Sequence, residues 1–405
     1  MNSSEHGEFC VKSWLAKDWG DPARPFSVLR PQQVGCWTKE SAKSASQAGE
    51  YLYGSKTGLM HYASPQLPQD LNQGYPEAFE RKPEDEGAPV ETIIRGAMHP
   101  STLANIDGLQ QHPQQEHLKE HCARSLIQGA DVVTFRNNLN KICGTPLSPR
   151  DGWVVEACMH DGTLFLEISK SEQASFPDAD RFNYYGYKFE SLCTSAPLQD
   201  SGTDTDGKPA PPTTSGGHPI VDATSEFAIL VKVKLGQQSV LMAAEVDCVD
   251  PAAQSVATGS TSSGGPHATH MEPYLELKTY KIPDHPGQLR TLYAHKYPKW
   301  WLQSFLAGVP ELILGGRDSQ GFLTEVQRIP VKTLPSAAQK AGHKWDAWKL
   351  LRFGEDALGW MQSVGRLYPG EALRFEYKPD QGCISWSRQR EHNTLAQRLR
   401  QILPD

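Results

Sequence analysis

Hydrophobic and polar positions alternate most clearly in the middle of the chain, where the alternation predicts strands. Residues 153–156 and 163–168 flank His160-Asp161-Gly162, and an Asp-Gly step between two apolar runs signals a hairpin. Residues 227–235 and 239–248 flank Gly236-Gln237-Gln238 and predict a second hairpin. A short strand follows at 274–280, and a glycine-containing turn joins a further pair at 311–316 and 322–329. Apolar residues recur instead at helical spacing over 113–128, 180–193, 287–307 and 344–364. Strands clustered among helices predict an α+β fold, a mixed central β-sheet flanked by helices. No internal repeat is visible.

Between these elements lie three polar stretches, near 38–50, 199–217 and 251–270, made largely of small, Gly, Pro, Ser and Thr residues. They cannot bury enough apolar surface to offset chain entropy, so they read as mobile loops. The last two interrupt strand-like segments, which makes them insertions within one domain spanning 1–405. The formal net charge of −7 weighs against a polybasic coat for nucleic acid, but net charge does not describe a local cleft. None of the eight cysteines falls in a C-x-x-C pair, and the first residues carry no apolar leader. Free, packed thiols in a reducing compartment are therefore expected. No run approaches the ~18 apolar residues of a spanning helix, so no membrane partner is expected.

Candidate chemistry appears where acids interrupt apolar strands. Glu245 and Asp247 stand two apart on one predicted strand, and Glu276 and Lys278 two apart on the next. Residues i and i+2 of a strand face one side, so if the two strands are neighbours they gather three carboxylates and an ammonium into one patch. Crowded carboxylates are driven to protonate unless a cation neutralises them, and hard oxygen donors suit Mg²⁺ or Mn²⁺. Lys278 would then orient or help deprotonate a water beside the metal. The alternative is a set of solvated strand residues. The apolar run Met242-Ala243-Ala244 argues against it, because unpaired acids there are costly.

Two helical segments add to the patch. Tyr184 to Glu190 ends a helix-like stretch with a fourth carboxylate. His295, Lys299 and Gln303 recur every four residues, a polar stripe suited to phosphate and water, with Trp301 and Phe305 on another face. His117 and His121, four apart beside Cys122, have zinc-ligand spacing but no second pair to complete a site. Gly315-Gly316-Arg317-Asp318 lacks the Gly-Lys-Ser/Thr ending of a P-loop and reads as a strand end.

Taken together, these segments make the chain resemble the DXO-like family of RNA decapping nucleases, which have a (D/E)-x-K nuclease-like core. The matching pieces are Thr134-Phe135-Arg136 with the 141–146 segment, Asp151-Gly152-Trp153, Gly186 to Glu190, Glu245 to Cys248, Tyr274 to Thr279, Lys299 to Pro310, and Gly316-Arg317. Weaker matches run upstream through Val34-Gly35-Cys36, Asp70 to Tyr75 and Asp85-Glu86-Gly87. The resemblance implies that Glu190, Asp247, Glu276 and the backbone carbonyl of Leu277 hold a metal, with Glu245 serving a second metal or the substrate. It implies that Lys278 and Gln303 contact the scissile phosphate or attacking water, and that Arg136 holds RNA phosphate. Phe135, Asn137 and Ala228 would line the substrate; relatives usually carry Gly at the Asn137 position and some carry Cys at the Ala228 position.

The implied activity is metal-dependent removal of incomplete or atypical caps from RNA 5′ ends: an unmethylated guanosine cap, a 5′ triphosphate or an NAD cap. It would leave a 5′-monophosphate RNA, with 5′→3′ exoribonuclease activity as an addition. The resemblance also implies a nuclear location, the cytoplasm being the other choice, and a 5′→3′ exoribonuclease of the Rat/Xrn type as partner. A scaffolding role for that partner with little catalysis is the alternative, and a DNA nuclease on the same core is a third reading.

Overall fold

A computed structural model describes residues 7–17, 26–42, 49–83, 89–104, 126–168, 178–196, 213–214, 216–254, 271–390 and 394–403. Most of the predicted helix 113–128, with His117, His121 and Cys122, lies outside these residues, as does most of the three polar stretches.

The chain begins with β1 (Glu8–Cys10), α1 (Val11–Leu15), β2 (Val28–Lys39) and the short strands β3 (Tyr51–Tyr53), β4 (His61–Tyr62), β5 (Gln69–Asp70) and β6 (Phe79–Glu80). Helices α2 (Val90–Met98) and α3 (Pro100–Ala104) lead to β7 (Val132–Phe135), α4 (Arg136–Gly144), β8 (Trp153–His160) and β9 (Thr163–Ile168). Next come α5 (Ala179–Cys193), β10 (Thr194–Ser195), β11 (Val221–Asp222), β12 (Glu226–Leu235), β13 (Gln238–Glu245), β14 (Cys248–Val249) and β15 (Tyr274–Lys281). Then follow α6 (Pro286–Arg290), a π-helical turn (Thr291–Lys296), α7 (Tyr297–Ala307), β16 (Glu311–Arg317), β17 (Phe322–Pro330) and α8 (Leu334–Lys340). The chain closes with α9 (Ala347–Leu367), β18 (Ala372–Lys378), β19 (Cys383–Arg388) and α10 (Leu395–Ile402).

Among the described residues two large mixed sheets carry the fold. One has ten strands in the order β1-β19-β18-β8-β9-β7-β13-β12-β2-β3, the other seven in the order β10-β4-β14-β15-β16-β17-β5. Both predicted hairpins form. In the first, His160 pairs with Thr163 across Asp161 and Gly162, both at positive φ, the backbone that a two-residue turn between twisted strands requires. In the second, Leu235 pairs with Gln238. The predicted helices at 180–193, 287–307 and 344–364 appear as α5, as α6 through α7, and as α9.

Large apolar side chains fix the layers. Phe353 of α9 and Leu302 of α7 pack with Val155 and Ile229 on one face of the large sheet. Ile93 and Ile94 of α2 and Leu399 of α10 close its other face against Leu230 and Phe165. On the smaller sheet, Leu275, Leu277 and Ile313 meet Tyr184 and Phe189 of α5. Their even-numbered neighbours on β15, Tyr274 and Tyr280, face the main core beside α7. Gly315 lets α5 approach: a Cβ there would stand 2.5 Å from the Phe189 ring.

Two expectations are corrected. Thr38 and Lys39, placed in a polar loop, end β2 as buried residues, since Thr38 pairs with Phe227 and Lys39 with Glu226. Asp247 does not share a strand with Glu245. Strand β13 ends at Glu245 in the large sheet, and the chain crosses at Val246-Asp247 to begin β14 in the smaller one. Strands β13 and β15 are therefore not neighbours; it is Cys248 and Val249 that pair with β15.

Candidate active site

The sheet crossing builds the site. Glu245 ends β13 directly opposite Ala228 of β12, so a small side chain leaves the space before its carboxylate open. Strand β7 lies parallel to β13, with Phe135 beside Ala243, and runs straight into α4. Arg136, the first residue of that helix, therefore emerges next to Glu245 at the same end of the sheet. Asp247 follows in the crossing segment and accepts the Leu277 N–H at 2.6 Å, which ties it to β15. Glu276 and Lys278 extend from the face of β15 that looks toward α7, where Gln303 meets them.

Glu276 is the most enclosed member, at 1% exposure. Its Oε1 accepts from Lys278 Nζ at 2.6 Å and from Gln303 Nε2, and its Oε2 accepts from Arg136 Nη1 at 3.2 Å. Burial alone would raise its pKa, but the Lys278 and Arg136 cations outweigh burial and hold it below the ordinary carboxylate range. Burial would likewise lower the Lys278 amine, yet Glu276 and Asp247 draw it upward.

The other acids are less well compensated. Burial, then Glu276, push Asp247 up to about 7 against the pull of Lys278 and the Leu277 N–H. Burial and Asp247 push Glu190, near the C-terminal end of α5, well above the carboxylate range. Glu245 is also raised, by burial and by Glu226 and Glu276, while Lys82 and Arg136 oppose. Its side chain keeps 44% exposure, because it stands at the bottom of a recess whose walls restrict water but whose mouth leaves the carboxylate open to the cavity. Lys82 bridges Glu226 at 2.9 Å and Glu245 at 3.9 Å.

The anticipated residues thus gather in one place: Glu190, Glu245, Asp247, Glu276, Lys278, Gln303 and Arg136 interact with one another. Phe135, Arg136, Asn137, Ala228, Glu245 and Gln303 line one cavity of about 400 Å³. Lys82 and Glu226 belong to the same neighbourhood and were not anticipated. Lys82 lies 163 residues before Glu245 with no local signal, whereas Glu226, an acid opening an apolar strand, carried the signal that singled out Glu245.

Five carboxylates opposed by three cations, in a partly desolvated cleft, form a donor set that suits a hard divalent cation. Among the described residues no three such side chains already close around a common point. Glu276 is instead turned onto Lys278, Arg136 and Gln303, so a cation would have to share it with them.

One residue of the Glu190 helix offers a simple check. Gly186 lies mid-helix, and a Cβ there would meet nothing within 4 Å. Glycine inside a helix costs about 0.5–1 kcal/mol relative to alanine. Gly186→Ala should therefore raise the melting temperature by about 1 °C in a calorimetric scan, with no loss of activity.

Comparison with known proteins bears on what the cleft does. A family profile described as "RAI1 like PD-(D/E)XK nuclease" matches residues 29–405. The Rattus norvegicus decapping and exoribonuclease protein is 27% identical over 354 residues, covering 84% of this chain and 76% of that protein. The Schizosaccharomyces pombe decapping nuclease din1 is 25% identical over 364 residues, covering 86% and 91%. Among solved structures, Candida albicans Rai1 in complex with pU5-Mn²⁺ superposes with a TM-score of 0.68 at 18% identity, covering 95% of this chain and 96% of that one.

Proposed function

Because the chain belongs to the RAI1-like PD-(D/E)XK nuclease family, we propose that it is a divalent-metal-dependent hydrolase that removes incomplete or atypical caps from RNA 5′ ends. Its substrates are an unmethylated guanosine cap, a 5′ triphosphate and an NAD cap, and its product is 5′-monophosphate RNA. The observation that supports this reading most directly is the meeting of Glu190, Glu245, Asp247 and Glu276 with Lys278, Gln303 and Arg136 where the chain passes between its sheets.

Each residue has a role that its position suits. Glu190, Asp247 and Glu276, with the Leu277 carbonyl, would hold a divalent cation, and Glu245 a second cation or the substrate. When bound, such a cation polarises a phosphate oxygen and makes water a stronger nucleophile. Arg136, at the start of α4, binds a non-bridging phosphate oxygen through a charge-assisted contact. Lys278 and Gln303, which grip Glu276, are placed to orient the attacking water and the scissile phosphate. Ala228 and Phe135 shape the wall against which the terminal nucleoside rests.

A side-by-side assay on 5′-triphosphate RNA, NAD-capped RNA and single-stranded DNA tests the reading. Release of the capping group with Mg²⁺ or Mn²⁺, and weak action on DNA, is the expected result. Equal cutting of DNA and RNA would instead identify a general nuclease. The same assay, extended in time, reveals whether degradation of the RNA body follows. A nuclear site of action and association with a 5′→3′ exoribonuclease of the Rat/Xrn type complete the proposal. Both are supported by the motif resemblance, and co-purification from nuclear extract tests them.

A further inference from the structure

The cleft does not end at the acids. A second cavity of about 320 Å³ opens between α4, α7 and the segment 144–153, and it shares Asn137, Asn140 and Gln303 with the first. The two differ in charge. The first carries Glu226 and Glu245 beside Arg136. The second carries Lys141 and Lys299 against a single acid, Asp151, which stands 3.5 Å from Lys299. Lys141 makes no ion pair among the described residues, and burial draws its amine below the usual lysine range against the pull of Asp151. Asn140 Oδ1 on the shared wall is buried and accepts no hydrogen bond among the described residues. A buried acceptor of this kind is rare unless a partner arrives from outside.

We propose that the second cavity binds the RNA strand on the 3′ side of the cut, its first phosphodiester beyond the scissile one lying between Lys141 and Lys299. The claim rests on the reading above that the cleft hydrolyses RNA. Charge decides the direction: with the scissile phosphate held at Arg136, the next phosphate is drawn to the second cavity, whose two lysines face a single acid, rather than toward Glu226 and Glu245 of the first. Asn140 Oδ1 then accepts from a ribose hydroxyl or a base amino group, as an orphan acceptor would. The volume suits about one nucleotide.

Binding of 5′-phosphorylated oligoribonucleotides, followed by fluorescence anisotropy in EDTA so that no turnover occurs, tests this. In Lys141→Gln/Lys299→Gln the pentanucleotide should bind about tenfold more weakly, with a salt slope shallower by about 0.7, the expectation for one phosphate no longer neutralised on a single strand. A nucleoside 5′-monophosphate, which has no phosphate beyond the scissile one, should bind as to the wild type. Lys299→Gln alone, at an exposed position, gives about half the change in slope and keeps the test open if the double variant folds poorly. Equal weakening for both lengths, or none for either, overturns the subsite and leaves the enzymatic reading standing. Failure of the wild type to bind RNA of any length, in EDTA and again with Ca²⁺ in its place, overturns both.

A second inference comes from the sheet edge. Strand β1 lies antiparallel to β19 with Cys10 directly opposite Cys383. The next pair is Val11 with Gly382, and Val11 N–H donates to the Gly382 carbonyl at 3.0 Å. Bonded and non-bonded pairs alternate along an antiparallel ladder, so the cysteines form a non-hydrogen-bonded pair with Cα atoms about 4.5 Å apart. That separation lies within the span of a disulfide. The thiols contact each other, and both residues are partly exposed.

We infer that Cys10 and Cys383 form a reversible disulfide by exchange with a small-molecule disulfide such as oxidised glutathione. The Cys10 thiolate, favoured by the Ser13 hydroxyl at 3.2 Å, attacks one sulfur of the reagent and releases one equivalent of the small thiol. Cys383 then attacks the Cys10 sulfur of the mixed disulfide and releases the second. Two protein thiols and one disulfide thus give one protein disulfide and two small thiols. The bond would anchor the segment that packs Phe9 and Trp14 onto Phe353 of α9.

Treatment with oxidised glutathione followed by non-reducing peptide mapping should yield a Cys10–Cys383 linked peptide lighter by two hydrogens than its parts. The melting temperature should rise by several degrees, dithiothreitol should reverse the rise, and Cys383→Ser should prevent it. A stable glutathione adduct on Cys10 with no linked peptide, or no loss of thiol, overturns the inference.

Discussion

Replacing Asp247 by asparagine should abolish cap removal while making the metal-free protein more stable. The side chain keeps its size and its acceptor for the Leu277 N–H, but it loses a charge that the fold tolerates poorly. An aspartate in an unfolded chain titrates near ~3.9, whereas Asp247 is pushed up to about 7 by burial and by Glu276. Between those values the native state binds a proton that the unfolded chain does not. Stability is therefore greatest below the lower value and is lost as pH rises through about 7. Glu190 is shifted the same way and titrates with it. At about pH 8 the metal-free asparagine variant should melt a few degrees above the wild type, about 2–4 °C, and the gap should close as pH falls toward ~4. A saturating divalent cation should raise the wild-type melting temperature, more at high pH than at low, because protons compete with it for these carboxylates. In the variant that response should vanish and turnover fall about 10³-fold, the equivalent of several kcal/mol of transition-state stabilisation. A variant that still responds to Mn²⁺ and still cleaves would remove Asp247 from the site.

That single residue also shows where reading the chain succeeds and where it stops. Period-two alternation and an Asp-Gly turn carried the β8–β9 hairpin, because both signals are local. Helical spacing carried α5 and α9 for the same reason. The pairing of Glu245 with Asp247 as chemistry was legible, since acids in an apolar run are costly wherever the run goes. Their placement was not. Whether a strand continues or crosses to another sheet depends on what pairs with it: here Val246 N–H donates to Phe227 O on one side, while Cys248 pairs with Leu275 on the other. Strand β2 was hidden differently. Pro31, Gln32 and Gln33 break its apolar rhythm, and its pairing with β12 tolerates them only through two irregularities in register. Lys82 could not be found at all, because its meaning comes from Glu226 and Glu245, which reach it only through the fold.

Lys278→Met should separate metal binding from catalysis, which Asp247→Asn cannot. The amine lies 2.6 Å from a Glu276 oxygen and is 23% exposed. Removing one partner of a buried ion pair costs about 3–5 kcal/mol when the other is left uncompensated. Glu276 keeps Arg136 at 3.2 Å and the Gln303 amide, so the loss should be smaller, about 1–3 kcal/mol. What remains is a Glu276 carboxylate with one competitor fewer and an Asp247 without the cation that lowers it. Both are then more in need of an external cation, so the rise in melting temperature on titrating Mn²⁺ should begin at lower metal concentration than in the wild type. Turnover should nevertheless fall by about 10²–10⁴, because the ammonium that orients the attacking water and the scissile phosphate is gone. If activity and metal response disappear together, Lys278 serves the cation's site rather than the water. If both survive, its proximity to Glu276 is structural, and the search for the residue that handles the water moves to Gln303.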